Sequence, residues 1–270
     1  MNTSTAEDQT KMTDTILFQR NGAIATITLN RPEQLNALTK PMWQRLGEVA
    51  REVAAMDEVR CVILRGAGNR AFAPGNDISE FPTERSNIEQ AKAYGAIMHS
   101  SIEAIVSIPQ PVVAMIMGIC VGGGLEIAGL ADIRICGTSS RFGAPINRLG
   151  LVMAHAETKC LLDLVGASNA LEILFEGRIM GAEEAKSKGI VSRVVADDQV
   201  EAEALATAQR IADGAPLVAR WHKKFVRRLS QGTPLSQAEI DEGFACFDTE
   251  DFQIGYKAFL AKLKPDFVGR

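Results

Sequence analysis

Gly118-Ile119-Cys120-Val121-Gly122-Gly123-Gly124-Leu125-Glu126 is the stretch on which the reading of this chain turns. Three consecutive glycines let the backbone turn tightly and let another group come close to it. They stand where a helix begins, so their NH groups lack intrahelical acceptors and sit at the positive end of the helix dipole. Such a site can bind a phosphate or stabilise an oxyanion; close helix–strand packing is the plainer alternative. The dinucleotide fingerprint fails, because Ile127 stands where a third glycine would follow Gly122 and Gly124. Glu126 falls in the first helical turn, where an acid complements the dipole. Its neighbours Val121, Leu125, Ile127 and Ala128 are apolar, so the helix reads as buried, and a buried carboxylate needs a reason. A carboxyl beside an oxyanion site can move a proton at the carbon next to a carbonyl. Burial raises its pKa and the helix start lowers it, so the direction stays open.

Outward from that stretch the chain alternates. Pro111 to Met117 before it and Asp132 to Cys136 after it are short apolar runs of the buried-strand kind, as is Cys61 to Leu64. Helical spacing of Met42, Leu46, Val49, Ala50 and Val53 predicts a helix capped by Thr39, with Pro41 in its first turn. A second helix is expected over about 88–106, and Gly66 to Asp77 reads as a loop. Ile16 to Arg20 and Ala23 to Leu29 read as a hairpin around Asn21-Gly22. Repeated strand–helix units predict an α/β fold. Beyond about residue 155 helices dominate, at roughly 157–165, 167–176, 182–187, 199–213, 216–230, 235–246 and 250–262, with Val191 to Val195 the one expected strand. The organisation predicted is a disordered tail over 1–14, a sheet-containing core over 15–198 and a helical C-terminal region over 199–270.

Composition narrows the function classes. The 270 residues carry a net charge of −4, so no general attraction to nucleic acid or to an acidic membrane surface is expected. Aromatics are only 6%, which argues against base-stacking platforms. Five scattered cysteines, with no CxxC pair, form no disulfide framework and fit a reducing compartment. Cys61, Cys120 and Cys136 lie in apolar runs and read as core filling. The polar N-terminus resembles no signal or transit peptide, and no apolar run approaches the roughly 20 residues of a membrane span. A cytoplasmic protein is expected.

Two more strand-to-helix transitions stand out: Ala71-Phe72-Ala73-Pro74-Gly75-Asn76-Asp77, and Phe142-Gly143-Ala144-Pro145 with the turn Asn147 to Leu151. Each follows a buried strand and so lands at a sheet edge, where α/β proteins place ligands. With these in view the chain resembles the crotonase superfamily, the enoyl-CoA hydratase/isomerase family. Asn30-Arg31-Pro32-Glu33-Gln34-Leu35-Asn36-Ala37-Leu38 is similar to its NRP-x-x-x-NAL stretch, and Phe72 to Ile78 to its F-x-A-G-x-D-I loop. The glycine triplet with Glu126, Ala131 to Arg134, Phe142 to Pro145, Gly181 to Val191 and the tail Phe259 to Phe267 follow in order and spacing. The resemblance covers nearly the whole chain.

That resemblance implies a ββα spiral core that binds acyl-CoA, with C-terminal helices that assemble trimers or hexamers. It implies an oxyanion hole from the backbone NH groups of Asn76 and Gly123, and a proton carried by Glu126. Asn76, Asp77, Ile78 and Ser79 would line the acyl-CoA channel. Leu35, Ala37 and Pro74 would lie along the coenzyme, and Lys262 near its phosphates. No metal and no cofactor beyond the coenzyme A of the substrate are implied. The departures concern the reaction. Where hydratases of the family carry a second glutamate, this chain has Ile146 on the wall of the substrate site. Their Gly-rich turn is replaced by Met153-Ala154-His155-Ala156-Glu157-Thr158. His155 and Glu157 are therefore candidate substitute acid/base groups, or else a loop histidine and a first-turn acid. Asp77 also reads as an acceptor for loop NH groups, and His99 and His222 as surface or interface residues. Water addition and double-bond migration are the expected reactions. Other chemistry on the same oxyanion, or acyl-CoA binding without turnover, remains an alternative.

Overall fold

The computed structural model describes residues 14–270. The tail expected over 1–14 lies, but for Asp14, outside the described residues. The first half contains β1 (Ile16–Asn21), β2 (Ile24–Leu29), α1 (Lys40–Ala54), β3 (Cys61–Gly66), β4 (Ala71–Ala73), α2 (Phe81–Glu84), α3 (Ile88–Val106), β5 (Val112–Ile116), β6 (Ile119–Val121) and α4 (Gly123–Gly129). The second half contains β7 (Ile133–Gly137), β8 (Arg141–Gly143), α5 (His155–Glu176), β9 (Met180–Gly181), α6 (Ala182–Ser187), β10 (Arg193–Val195), α7 (Val200–Ala212), α8 (Pro216–Leu229), α9 (Gln237–Glu242) and α10 (Glu250–Ala261).

Two sheets organise these elements. One has six strands in the order β1-β2-β3-β5-β7-β10, the other four in the order β4-β6-β8-β9. Successive strands alternate between them: β3 then β4, β5 then β6, β7 then β8, each pair followed by helix. This is a spiral of ββα units, as the resemblance implied. The second sheet escapes a reading by periodicity, because β4, β6 and β8 have three residues each. Ala71–Ala73 therefore lay inside the expected loop 66–77.

The central strands β3 and β5 are buried on both faces, which is why Cys61 to Leu64 and Val112 to Ile116 read as unbroken apolar runs. Along β3 the side chains alternate. Val62 and Leu64 join the main core with Trp43, Phe72 and Phe142. Cys61 and Ile63 join a second cluster with Val113, Met115 and Ile135, closed by Val200, Ala204 and Ala208 of α7. α7, which begins just past the boundary expected at residue 199, thus packs with the core and covers the sheet's outer face. The helices after it are different. Phe244, Phe259, Leu260 and Leu263 of that region stay largely exposed.

Local chemistry explains the termini. Thr39 caps α1 by accepting from the Met42 NH. The β1–β2 register pairs Asn21 with Ile24, so the turn residues are Gly22-Ala23 rather than Asn21-Gly22, with Gly22 at φ +58°. The two helices expected at 157–165 and 167–176 are the two parts of α5, separated by a kink at Gly166, whose φ 74° and ψ 167° are not helical.

The loop before α1 is built on a buried side chain, Asn36, at φ 65°. Its amide donates to the carbonyls of Ala67 (3.0 Å) and Ala71 (2.8 Å), and its oxygen accepts from the Arg31 NH (3.0 Å). Asn36→Ala leaves those three groups unpaired, and we expect about 3 kcal/mol of lost stability. Urea unfolding reads it as a lower midpoint at unchanged slope; an unchanged midpoint contradicts it.

Candidate active site

The site forms where the end of β4 meets the start of α4. A parallel bridge pairs Leu38 with Asn76. The Leu38 NH donates to Gly75 O (2.9 Å) and the Asp77 NH to Leu38 O (2.8 Å). The intervening Asn76 NH has no backbone acceptor among the described residues. On the other side, the Gly122 NH donates to Gly143 O (2.9 Å), which leaves Gly123 to open α4. As a first helical residue it has an NH without an intrahelical acceptor.

The two segments come together because side chains are missing. A Cβ at Gly124 would fall 2.1 Å from Ala73 O. One at Gly75, which adopts φ 110°, would fall 3.0 Å from Gly123 N. A Cβ on Gly123 itself would lie 3.6 Å from Asn76 N, so the two NH groups are neighbours. Trp43, buried on α1, braces both: its indole NH donates to Asn76 Oδ1 at 2.6 Å, and its ring lies against Gly123.

A cavity of about 140 Å³ opens at this point, walled by Pro74, Asn76, Ile78, Ile146, Glu126 and Glu157 among others. Its two acids have different surroundings. Burial, then the neighbouring Glu157, pushes the Glu126 carboxyl up to about 8, with Arg85 pulling the other way. Desolvation is the largest of these influences, and the direction that the sequence left open is upward. Glu157 lies in the first turn of α5, is 3% exposed, and places Oε1 2.8 Å from His99 Nε2 of α3.

The remaining candidates divide. His155 opens α5 but is exposed and takes no part in the cavity wall, so it is not gathered with the acids. Asp77 caps a turn, pairs with Arg31 at 2.7 Å and accepts from the Ser79 NH and hydroxyl. These bonds, Ser79 first and then Arg31, hold its carboxyl below the usual range. Asp77 and Ser79 brace the loop and do not wall the cavity, unlike Asn76 and Ile78. Leu35 and Ala37 sit in the neighbouring loop, where Arg31 donates to Ala37 O, outside the wall. Lys262 is the exposed, left-handed cap of α10, also outside it. Sequence reasoning missed Trp43, Arg85, Met98 and His99. For Trp43 a signal existed, since a buried indole NH needs an acceptor. Among the described residues, no three His, Cys, Asp or Glu side chains are grouped to hold a metal ion.

A sequence profile of the enoyl-CoA hydratase/isomerase family matches residues 19–270. An enoyl-CoA hydratase/carnithine racemase from Magnetospirillum magneticum has a solved structure that superposes with a TM-score of 0.94 at 52% identity, over 95% of this chain and 96% of that one. The enoyl-CoA hydratase of Bacillus anthracis superposes at 0.87 with 30% identity, over 95% and 100%. The short-chain-enoyl-CoA hydratase of Clostridium acetobutylicum is 33% identical over 251 residues, 92% of this chain and 95% of that one.

The raised Glu126 carboxyl has a consequence for stability. Its folded pKa, about 8, exceeds the ordinary 4.5, so the folded state holds a proton that the unfolded chain releases. The contribution is complete below the lower value and is lost as pH rises through the upper one. Glutamine does not titrate. The melting temperature of Glu126→Gln should therefore gain on the parent between pH 5 and pH 8; a constant difference contradicts this.

Proposed function

The chain belongs to the enoyl-CoA hydratase/isomerase family, and from that premise we propose that it adds water across the 2,3 double bond of an enoyl-CoA thioester. One observation carries the reading: a second carboxyl, Glu157, faces Glu126 in the cavity even though Ile146 stands where the resemblance expects a glutamate. Water addition needs two groups around the water, and α5 supplies the second one.

The thioester oxygen accepts from the Asn76 and Gly123 NH groups. Glu157, as the carboxylate, takes a proton from water as the water oxygen bonds to C3. The electrons of the double bond pass to the thioester oxygen, forming an enolate. Glu126, neutral because burial holds its proton, delivers that proton to C2 as the carbonyl re-forms. The net change is one water added; one proton then returns from Glu157 to Glu126. Loss of one such donor costs about 3–4 kcal/mol in comparable oxyanion sites. Because both donors are backbone groups, they survive side-chain change at Pro74 and Ile146, which would pack on the acyl group with Ile78.

Ile146 favours one second reading. An apolar wall there leaves isomerisation open, with Glu126 alone removing a proton and returning it elsewhere. Leu35, Ala37 and Lys262 are assigned to the coenzyme by resemblance alone, Lys262 through a neighbouring subunit. A trimer or hexamer fits the apolar side chains left exposed after α7. Among the described residues no helix is long and apolar enough to cross a membrane, and a cytoplasmic location is part of this proposal.

The deciding experiment is a panel of 2-enoyl-, 3-enoyl- and 3-hydroxyacyl-CoA esters with product identification by mass and absorbance. Hydration of a 2-enoyl ester is expected; double-bond migration alone selects the second reading. No turnover, together with no exchange of α-protons of a bound saturated acyl-CoA in D2O, selects binding without catalysis. On the true substrate, Glu126→Gln and Glu157→Gln should each lower kcat by about 100-fold or more, with KM within a few fold. Unchanged rates remove the residue concerned from the mechanism. The forward rate should hold at neutral pH and fall as Glu126 ionises around pH 8.

A further inference from the structure

His99 lies on α3, 58 positions before Glu157, and takes no part in the cavity wall. Its Nε2 is nevertheless 2.8 Å from Glu157 Oε1. The Glu157 side chain is 4% exposed and the His99 side chain 35%, so the ring stands between a buried carboxyl and solvent. A carboxyl withdrawn from water this far needs hydrogen bonds. Among the described residues, His99 is the side chain that supplies one to Glu157. No hydrogen bond from a side chain reaches the Glu126 carboxyl among the same residues. Two acids therefore share one cavity with unlike partners, the arrangement that separates a base from an acid.

We propose that His99 is a positioning residue for the reaction: its Nε2–H holds the Glu157 carboxylate in one orientation, so that Glu157 meets the water as the base while Glu126 serves as the acid. The proposal rests on the hydration reading of Glu157. A hydrogen bond from a fixed ring removes the alternative orientations of a side chain that has to meet a water and a double bond at once. The other charged or titratable groups at this pair are Glu126 of α4, Arg85 between α2 and α3, and Cys160 of α5. None of the three makes a hydrogen bond to the Glu157 carboxyl among the described residues.

The test is steady-state kinetics on the parent, His99→Ala, His99→Gln, Glu157→Gln and the His99→Ala/Glu157→Gln double variant. The Gln side chain can bring an amide NH close to the place of the imidazole Nε2. His99→Ala should lower kcat about tenfold or more with KM within about threefold, and His99→Gln should recover most of that loss. On the Glu157→Gln background, His99→Ala should add no further loss, because the effect passes through Glu157. An unchanged kcat in His99→Ala, with Glu157→Gln impaired, overturns the positioning role and leaves the hydration reading standing. Equal losses on both backgrounds overturn it as well, as does a folded His99→Gln no better than His99→Ala. Full turnover in Glu157→Gln brings down the hydration reading and this inference with it. Should His99→Ala not fold, His99→Asn, too short to reach Oε1, takes its place.

Discussion

The start of α4 lies against β4 with no room for a side chain between them, and the chemistry of the cavity depends on that contact. A Cβ at Gly124 would fall 2.1 Å from the Ala73 carbonyl oxygen. With no Cβ there, the first NH of a helix comes beside the NH of Asn76, whose neighbouring peptide groups are both pinned to Leu38. In the proposed reading these two neighbouring NH groups are the donors that meet the thioester oxygen. Fixed donors of this kind cost no reorganisation when charge develops, which makes them effective in a dry site. The ββα spiral keeps β4 and α4 in register by delivering each short strand to the second sheet just before its helix.

The acids opposite these donors follow a different rule. Backbone NH groups persist whatever side chains surround them, whereas acids can move along the sequence as long as they reach the same volume. Ile146 closes one such place with an apolar side chain. Glu157 opens another from α5, and the cavity receives a second carboxyl by a separate route. Its burial next to Glu126 raises the cost of two negative charges in one small space, and the proton on Glu126 relieves that cost.

What was legible in the sequence, and what was not, divides by range. The long strands and helices could be read because their residues are covered on fixed faces. Met42, Leu46, Val49 and Val53 mark one side of α1, and the apolar run of β3 records cover on both. The glycine triplet with Glu126 and the Asn76 loop were recognisable because the constraint is local to a few residues. The three-residue strands of the second sheet carry too little pattern to stand out. α7 looked like the first of the outer helices, because nothing in its own sequence says that Ala204 and Ala208 meet Ile63 and Val113. The contact of His99 with Glu157 was invisible for the same reason, since the two are 58 residues apart. His155, two residues before the acid in sequence, lies at the exposed start of α5, outside the cavity wall.

The central claim is that the Asn76 and Gly123 NH groups polarise a thioester carbonyl. Difference infrared spectroscopy of a bound enoyl-CoA labelled with ¹³C at the thioester carbon tests it most directly. The account predicts that the labelled carbonyl band moves to lower frequency on binding, compared with the same ester in water, and that the band stays shifted in Glu126→Gln, where the donors are intact. A carbonyl frequency equal to that of the free ester, with the ligand demonstrably bound, would contradict it.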